Sequence, residues 1–316
     1  MRQIMDIQKT FGENLRRSRI KSGLSQSKLS IKTGLSPVYI NRIEKGEENI
    51  SLKNIWEISN VLNTPISVLF SPFQNIQYRA VIFDLHYTIL RLSPSRGVIY
   101  QRIFKKHGFN AHPREIKKVF SAVWNEYGDN KISEDFKNHH NEKYIEEWWF
   151  NFHFKMLKKL GLRNRDVAEI INQDISNQFY GNPQIHRMYD DARKILPFLK
   201  KHNVKLALAT NGYKSTNRII KYFGLNRYFN YVSVSCDVGV SKPNPQLYHL
   251  IAKKLSLKPE EILCVGDSYP TDIVGAKKAG CEVAIIDRKN TEYKKKYDCI
   301  YLNNLTQVKN LINSNG

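Results

Sequence analysis

The sequence has few cysteines and no long apolar run. Four of its 316 residues are cysteines, and none of them belongs to a Cys-x-x-Cys pair. We therefore expect reduced structural thiols, as in a cytoplasmic protein, and no disulfide framework. No apolar run reaches the roughly 18 residues that a membrane-spanning helix needs, and the amino terminus shows no signal-peptide pattern. A membrane partner is not expected.

Acidic residues are scarce relative to basic ones. The chain has 29 Asp and Glu against 50 Lys and Arg, a net charge of +21. Residues 1–78 hold 11 basic and 6 acidic residues, and the remainder holds 39 and 23. Such an excess favours polyanionic partners and salt-sensitive association. Because the basic residues are dispersed, a general bias of composition explains the charge equally well.

The first 72 residues are predicted to form a domain of five short helices, followed by a linker at 73–78. Serines precede several of the helical patterns, where a hydroxyl can accept a hydrogen bond from the first turn. Glycines end them, because glycine adopts the left-handed conformation that stops a helix. The predicted helices are 8–22, one capped by Ser25 and ended by Gly34, one capped by Ser36 and ended by Gly46, 51–62 and 65–70.

The segment Leu24 to Gly46, LSQSKLSIKTGLSPVYINRIEKG, resembles the helix-turn-helix domains of the phage-repressor, Cro and xenobiotic-response-element class. The resemblance implies that Gln26 and nearby amides hold a phosphate of double-stranded DNA, and that the third helix enters the major groove. It also implies a homodimer on a two-fold operator. A helical bundle that binds protein, or nothing, is the alternative. The residues expected to face DNA are Gln26, Ser36, Pro37, Val38, Asn41 and Arg42.

The rest of the chain, residues 79–316, alternates between strand-like and helical patterns. A buried strand is predicted at 80–85, and a long helical stretch without strand-like alternation follows at about 97–180. Such alternation predicts a parallel sheet with crossover helices, so the whole chain is expected to be α + α/β. The core is assigned to 79–92 and 186–316, and a helical cap of about 93–185 is expected over the carboxyl ends of the strands. The later strands are predicted at 205–210, 231–235, 262–266 and 283–287.

Polar motifs follow these strands, and together they resemble the haloacid-dehalogenase-like superfamily. The motifs are VIFD ending at Asp84, LATNG with Thr210, Asn211 and Gly212, SKPNP with Lys242, and GDSYPTD with Asp267 and Asp272. The resemblance implies a Rossmann-like core in which Asp84 is the nucleophile and Lys242 offsets negative charge. It further implies that Thr210, Asn211 and Gly212 bind phosphate. The acidic pair and Asp84 would hold Mg²⁺, a hard cation that prefers oxygen ligands.

Two positions depart from the family pattern. His86 stands where the family usually has an aspartate that acts as general acid and base, and Tyr87 replaces a small glycine. The resemblance implies that Mg²⁺ binding does not require that carboxylate, because in the family this position contributes its backbone carbonyl. The sequence therefore predicts a cytoplasmic DNA-binding regulator whose second domain binds a phosphorylated small molecule with Mg²⁺. An active Mg²⁺-dependent phosphatase, in which His86 exchanges the proton, and a halide or phosphonate chemistry are the alternatives.

Overall fold

The computed structural model describes residues 7–70, 78–288, 297 and 299–312, without the side chains of Lys21 and Asn130. The chain divides into two compact units, residues 1–76 with 287–303 and residues 77–286 with 304–316. Apart from Tyr78, the predicted linker at 73–78 lies outside the described residues. In the described part of the chain, no helix is long and apolar enough to cross a membrane.

The first unit contains the five predicted helices. They are α1 (Ile7–Lys21), α2 (Gln26–Thr33), α3 (Pro37–Glu44), α4 (Leu52–Leu62) and α5 (Ile66–Phe70). Ser25, Ser36 and Ser51 cap α2, α3 and α4, each accepting a hydrogen bond from a backbone amide of the first turn. Ile40 and Ile43 of α3 are buried in the apolar core of these helices.

The second unit is built on a sheet in which five strands have the order β5-β4-β1-β6-β7. The ladders from β5 to β7 are all parallel, with β1 between β4 and β6. In a parallel sheet the carboxyl ends of all strands lie along one edge, where ligands bind. The strands of this unit are β1 (Ala80–Phe83), β4 (Lys205–Thr210), β5 (Tyr231–Val234), β6 (Ile262–Gly266) and β7 (Glu282–Ile286). The last strand of the chain, β8 (Ile300–Leu302), belongs to the first unit.

Crossover and terminal helices complete this core. They are α10 (Asp190–Lys201), α11 (Thr216–Tyr222), α12 (Ser235–Val238), α13 (Pro245–Leu255), α14 (Val274–Lys278) and α15 (Lys309–Ile312). Strand β1 is two residues shorter than the predicted 80–85, because the chain leaves the sheet at Asp84. Strand β5 is one residue shorter than the predicted 231–235, because Ser235 already begins α12.

The predicted helical cap consists of four helices with an aromatic core. They are α6 (Arg96–Lys106), α7 (Pro113–Asp135), α8 (Glu142–Lys159) and α9 (Arg165–Gly181). The structure adds a short antiparallel ladder that the sequence did not predict, between β2 (Leu90–Leu92) and β3 (His186–Met188). This ladder joins the two ends of the cap, and its strands of three residues are too short to show a period of two.

Candidate functional site

Three carboxylates and one ammonium meet at the carboxyl edge of the sheet. Asp84 follows β1, Asp267 follows β6, and Asp272 lies in a π-helical turn, Tyr269–Ile273. The Lys242 Nζ lies 2.5 Å from Asp84 Oδ1 and 2.6 Å from Asp272 Oδ1, with both contacts buried. The structure thus brings together the four charged residues that the sequence singled out.

The backbone around Asp272 is shaped to hold its carboxylate in place. A Cβ on Gly266 would lie 2.3 Å from the Asp272 carboxylate, so only glycine fits at the end of β6. The Ser268 amide donates to Asp272 Oδ2 at 2.9 Å, and the Tyr248 hydroxyl donates to the Asp272 carbonyl at 2.9 Å. Turns of the π type occur frequently at functional sites.

The charges in this cluster are not balanced by the protein alone. Burial raises the pKa of Asp84 to about 6, although Lys242 acts to lower it. Burial, and then repulsion from Asp84 and Asp272, raise the pKa of Asp267 well above its usual range. Burial acts to lower the pKa of Lys242, but Asp272 and Asp84 outweigh it and raise the pKa. Lys242 thus supplies one positive charge against the three carboxyl groups of Asp84, Asp267 and Asp272.

A divalent cation fits this arrangement. Oxygens of Asp84, Asp267 and Asp272 lie within 4.8 Å of one another. Asp84 Oδ2 is buried and, within the described residues, accepts no hydrogen bond. An unpaired buried carboxylate oxygen is costly unless a ligand or an ion satisfies it. His86 was predicted to contribute a carbonyl rather than a side chain, and that contribution stays a prediction.

The predicted phosphate-binding residues lie at the end of β4 and in the loop after it, which is tied to the Lys242 loop. The Asn211 side-chain Nδ2 donates to the Lys242 carbonyl at 2.8 Å, and the backbone amide of Lys242 donates back to Asn211 Oδ1 at 2.8 Å. Thr210 is buried at the strand end. The Gly212 amide donates to Ser235 Oγ at 3.0 Å, so its role toward phosphate stays a prediction.

His86 lies among aromatic rings beside the carboxylates. Its ring centroid is 5.3 Å from that of His186 and 6.2 Å from that of Tyr180. Burial, followed by the effects of His186, Lys242 and Arg96, lowers the pKa of His86 to about 3. Its Nε2 is buried and has no hydrogen-bond partner among the residues described. The imidazole is therefore held in its neutral form.

Tyr87 occupies the left-handed backbone region, with a φ of 62°. This region favours glycine, the residue that Tyr87 replaces relative to the family pattern. The Tyr87 amide donates to the Leu90 carbonyl at 2.6 Å, which closes the turn. Its hydroxyl accepts a hydrogen bond from Arg96 Nη2 at 2.8 Å.

The structure adds site residues that the sequence reasoning missed. Ser235 Oγ contacts the His139 carbonyl at 2.5 Å, and Ser241 Oγ contacts the Phe136 carbonyl at 2.8 Å, so core loops bond to the cap. His186 reaches His86 because the β2–β3 ladder places it there. Ser235 and His186 lie outside the motifs quoted above. Ser241 begins the SKPNP motif, but the motif gives no sign of a contact with the cap.

The predicted DNA-facing residues lie on and before α3. Val38 is 71% exposed, and the Arg42 side chain forms an exposed ion pair with Glu48 at 3.2 Å. Gln26 Nε2 donates to Glu44 Oε2 at 2.8 Å, and Arg19 forms a buried salt bridge with the same carboxylate. Glu44 therefore joins α1, α2 and α3. The contacts with DNA stay predictions.

Comparison with known families assigns both units. Residues 78–280 match the haloacid dehalogenase-like hydrolases, and residues 15–69 match a helix-turn-helix family. The first match covers more than half of the chain, and the two matches occur in the order that the sequence predicts.

Curated relatives and a solved structure agree with this assignment. The chain is 24% identical to haloacid dehalogenase-like hydrolase domain-containing protein 3 of Bos taurus, over 65% of this chain and 80% of that protein. It is also 24% identical to a phosphoserine phosphatase of Thermus thermophilus, over 66% of this chain and 89% of that protein. The solved structure of the magnesium-bound HAD-hydrolase YfnB of Bacillus subtilis is similar to this chain with a TM-score of 0.58 at 19% identity. The match covers 75% of this chain and 99% of that one, and it shows that the two share a fold.

Proposed function

The chain belongs to the haloacid dehalogenase-like hydrolases and carries a helix-turn-helix domain, and we propose that it is a DNA-binding transcriptional regulator that senses a phosphorylated small molecule. In this proposal the hydrolase-fold domain binds the ligand with Mg²⁺ and turns it over slowly or not at all. The protein acts in the cytoplasm as a homodimer.

The observation that carries the ligand assignment is the cluster of Asp84, Asp267, Asp272 and Lys242. The three carboxylates would hold Mg²⁺, which supplies positive charge toward a phosphoryl group when it is bound. Lys242 offsets the charge of Asp84 from within the protein, at 2.5 Å. A phosphate monoester is repelled by carboxylates unless such cations are present, so this cluster favours a phosphorylated ligand over an uncharged one.

Slow turnover is proposed from the chemistry at His86. In the hydrolytic reaction an Asp84 oxygen bonds to phosphorus, the ester P–O bond breaks, and the leaving oxygen takes a proton. Water then attacks the aspartyl-phosphate, gives its proton to a base, and releases Asp84 and phosphate. In the family an aspartate moves both protons. Here the position holds a ring packed against His186 and Tyr180, and loss of such acid–base help costs about 10²–10⁴-fold in rate.

DNA recognition is proposed for the exposed face of α3. Arg42 and Asn41 carry the hydrogen-bonding groups that read base edges in the major groove, and Val38 can contact a thymine methyl. Val38 and the Arg42 side chain are both exposed. Two copies of this helix on a two-fold operator would read its two half-sites.

A second candidate function is an active Mg²⁺-dependent phosphatase with a DNA-binding head. The assembled nucleophile, lysine and acidic pair favour it, as does the similarity to a protein named phosphoserine phosphatase. In that case His86 moves the proton.

One experiment separates the two functions. The full chain is incubated with Mg²⁺ and a panel of phosphate monoesters, and released phosphate is measured. The same esters are tested for their effect on binding to the DNA that the protein occupies in its own cell. The sensor function requires a ligand-dependent change in DNA affinity with little phosphate release. Rapid release without any effect on DNA binding supports the phosphatase.

A further inference from the structure

Arg96 places an unpaired positive charge beside the candidate active site. It is the first residue of the cap helix α6 and is half-buried. In the described ranges of the chain, no carboxylate lies within the 4.0 Å of an ion pair with Arg96, and its buried Nε has no hydrogen-bond partner. A guanidinium removed from water normally has an anionic partner.

Aromatic rings enclose this guanidinium. Its central carbon lies 4.1 Å from the ring centroid of Phe120, 5.3 Å from that of Tyr87 and 5.7 Å from that of Phe179. Nη2 donates to the Tyr87 hydroxyl at 2.8 Å. The Nε donor still lacks an acceptor among the described residues. A planar carboxylate suits such a guanidinium, since it accepts two parallel hydrogen bonds from an arginine.

Contacts within the same unit connect Arg96 to the catalytic residues. Its hydrogen-bond partner Tyr87 lies three residues after the nucleophile Asp84, in the turn that closes the Asp84 loop. The charges of Arg96 and Lys242 both act on His86. Lys242 is already bonded to two carboxylates, whereas Arg96 is not.

We propose that Arg96 determines ligand specificity by binding a carboxylate carried by the phosphorylated ligand, while Asp84, Lys242 and the acidic pair hold the phosphate end. This inference rests on the proposed binding of a phosphate monoester. It narrows the ligand class to phosphate esters that also bear a carboxylate.

The test compares two probes that differ in this group. 2-Phosphoglycolate carries a carboxylate where ethyl phosphate carries a methyl group. Binding of each probe to the full chain with Mg²⁺ is measured by calorimetry, and phosphate release is followed in the same samples. We expect 2-phosphoglycolate to bind at least tenfold more tightly. Arg96→Gln should remove this preference while leaving the affinity for ethyl phosphate within about twofold.

Two further variants complete the test. Arg91→Gln removes an exposed arginine of β2 and should leave the preference unchanged. Arg96→Lys keeps the charge but not the planar fork, and should retain only part of the preference. Melting curves without ligand confirm that each variant is folded, and if Arg96→Gln does not fold, the lysine variant provides the comparison.

Each unfavourable result has a distinct meaning. Equal affinity of the unmodified protein for the two probes overturns the role of Arg96 and leaves the proposed function standing. A preference that persists in Arg96→Gln also overturns the role of Arg96. The same holds for an equal loss of both affinities in a folded Arg96→Gln, because that result would mean that Arg96 has a structural role. If the unmodified protein binds neither probe, the proposed phosphate binding fails, and the role of Arg96 fails with it.

Discussion

The Lys242 ammonium lies 2.5 Å from Asp84 Oδ1, although 158 residues separate the two in sequence. Asp84 directly follows β1, a strand at the centre of the sheet, and Lys242 lies in the loop that follows β5 and α12. The ammonium occupies one oxygen of Asp84, while Oδ2 has no partner in the described part of the structure. This arrangement is the basis for the predictions on metal binding, stability and turnover.

Mg²⁺ together with beryllofluoride, a phosphate mimic, is expected to raise the melting temperature, because a ligand that binds only the folded state stabilises it. A ligand present at 100 times its Kd contributes about 2.7 kcal/mol. Asp267→Ala should abolish this gain, since it removes one of the three clustered carboxylates. The exposed Asp166→Asn serves as control. An unchanged melting temperature of the unmodified protein in millimolar Mg²⁺ would contradict the prediction.

Lys242→Met is expected to destabilise the protein in the absence of Mg²⁺. Removing one partner of a buried ion pair leaves the other charges uncompensated and typically costs about 3–5 kcal/mol. Urea unfolding measures the loss, and Lys258→Met, at an exposed lysine, should change stability by less than about 0.5 kcal/mol. Equal stability of the two variants would show that Lys242 does not neutralise the cluster.

Arg42→Ala is expected to weaken binding to the specific operator by about 1–3 kcal/mol, with a smaller effect on unrelated DNA. The exposed guanidinium must exchange its ion pair with Glu48 for a base edge. Gel shifts with operator and scrambled DNA measure both affinities. The same operator affinity for variant and unmodified protein would remove Arg42 from the reading surface.

The protein is expected to bind DNA as a dimer, with half-sites about one helical turn, roughly 34–36 Å, apart. Sedimentation of the complex gives the stoichiometry, and operators with half a turn inserted between the half-sites should bind more weakly. A monomer that occupies a single half-site with full affinity would contradict this expectation.

Turnover by the unmodified protein is expected to be weak, because His86 stands at the acid–base position. His86→Asp should restore activity only in part, since Tyr87 keeps a side chain in the left-handed turn, where its φ is 62°. The double variant with Tyr87→Gly should turn over faster than the single one. Phosphate release under Mg²⁺ measures all three. Strong activity of the unmodified protein that falls in His86→Ala would establish the phosphatase instead.

Much of the architecture was readable from the sequence. The strand KLALAT was predicted at the bounds it has in the structure, Lys205–Thr210, because a buried parallel strand is a continuous apolar run with clear ends. The serine N-caps and the end of α2 at Gly34 were also predicted from the sequence, since capping depends on the residue and its immediate neighbours. The order of the motifs also identified the charged residues at the strand ends.

Tertiary structure decided the surroundings of the site. The β2–β3 ladder, the His86–His186 pair and the ring-enclosed Arg96 all join residues that are distant in sequence or lie outside any motif. Local sequence encodes caps and strands because their hydrogen bonds are made nearby, whereas burial and the pairing of charges depend on which segments the fold brings together. The sequence by itself therefore determined the order of the helix-turn-helix and hydrolase segments and the charged residue types of the candidate site. Only the folded structure showed that, among the described residues, the Nε of Arg96 has no partner.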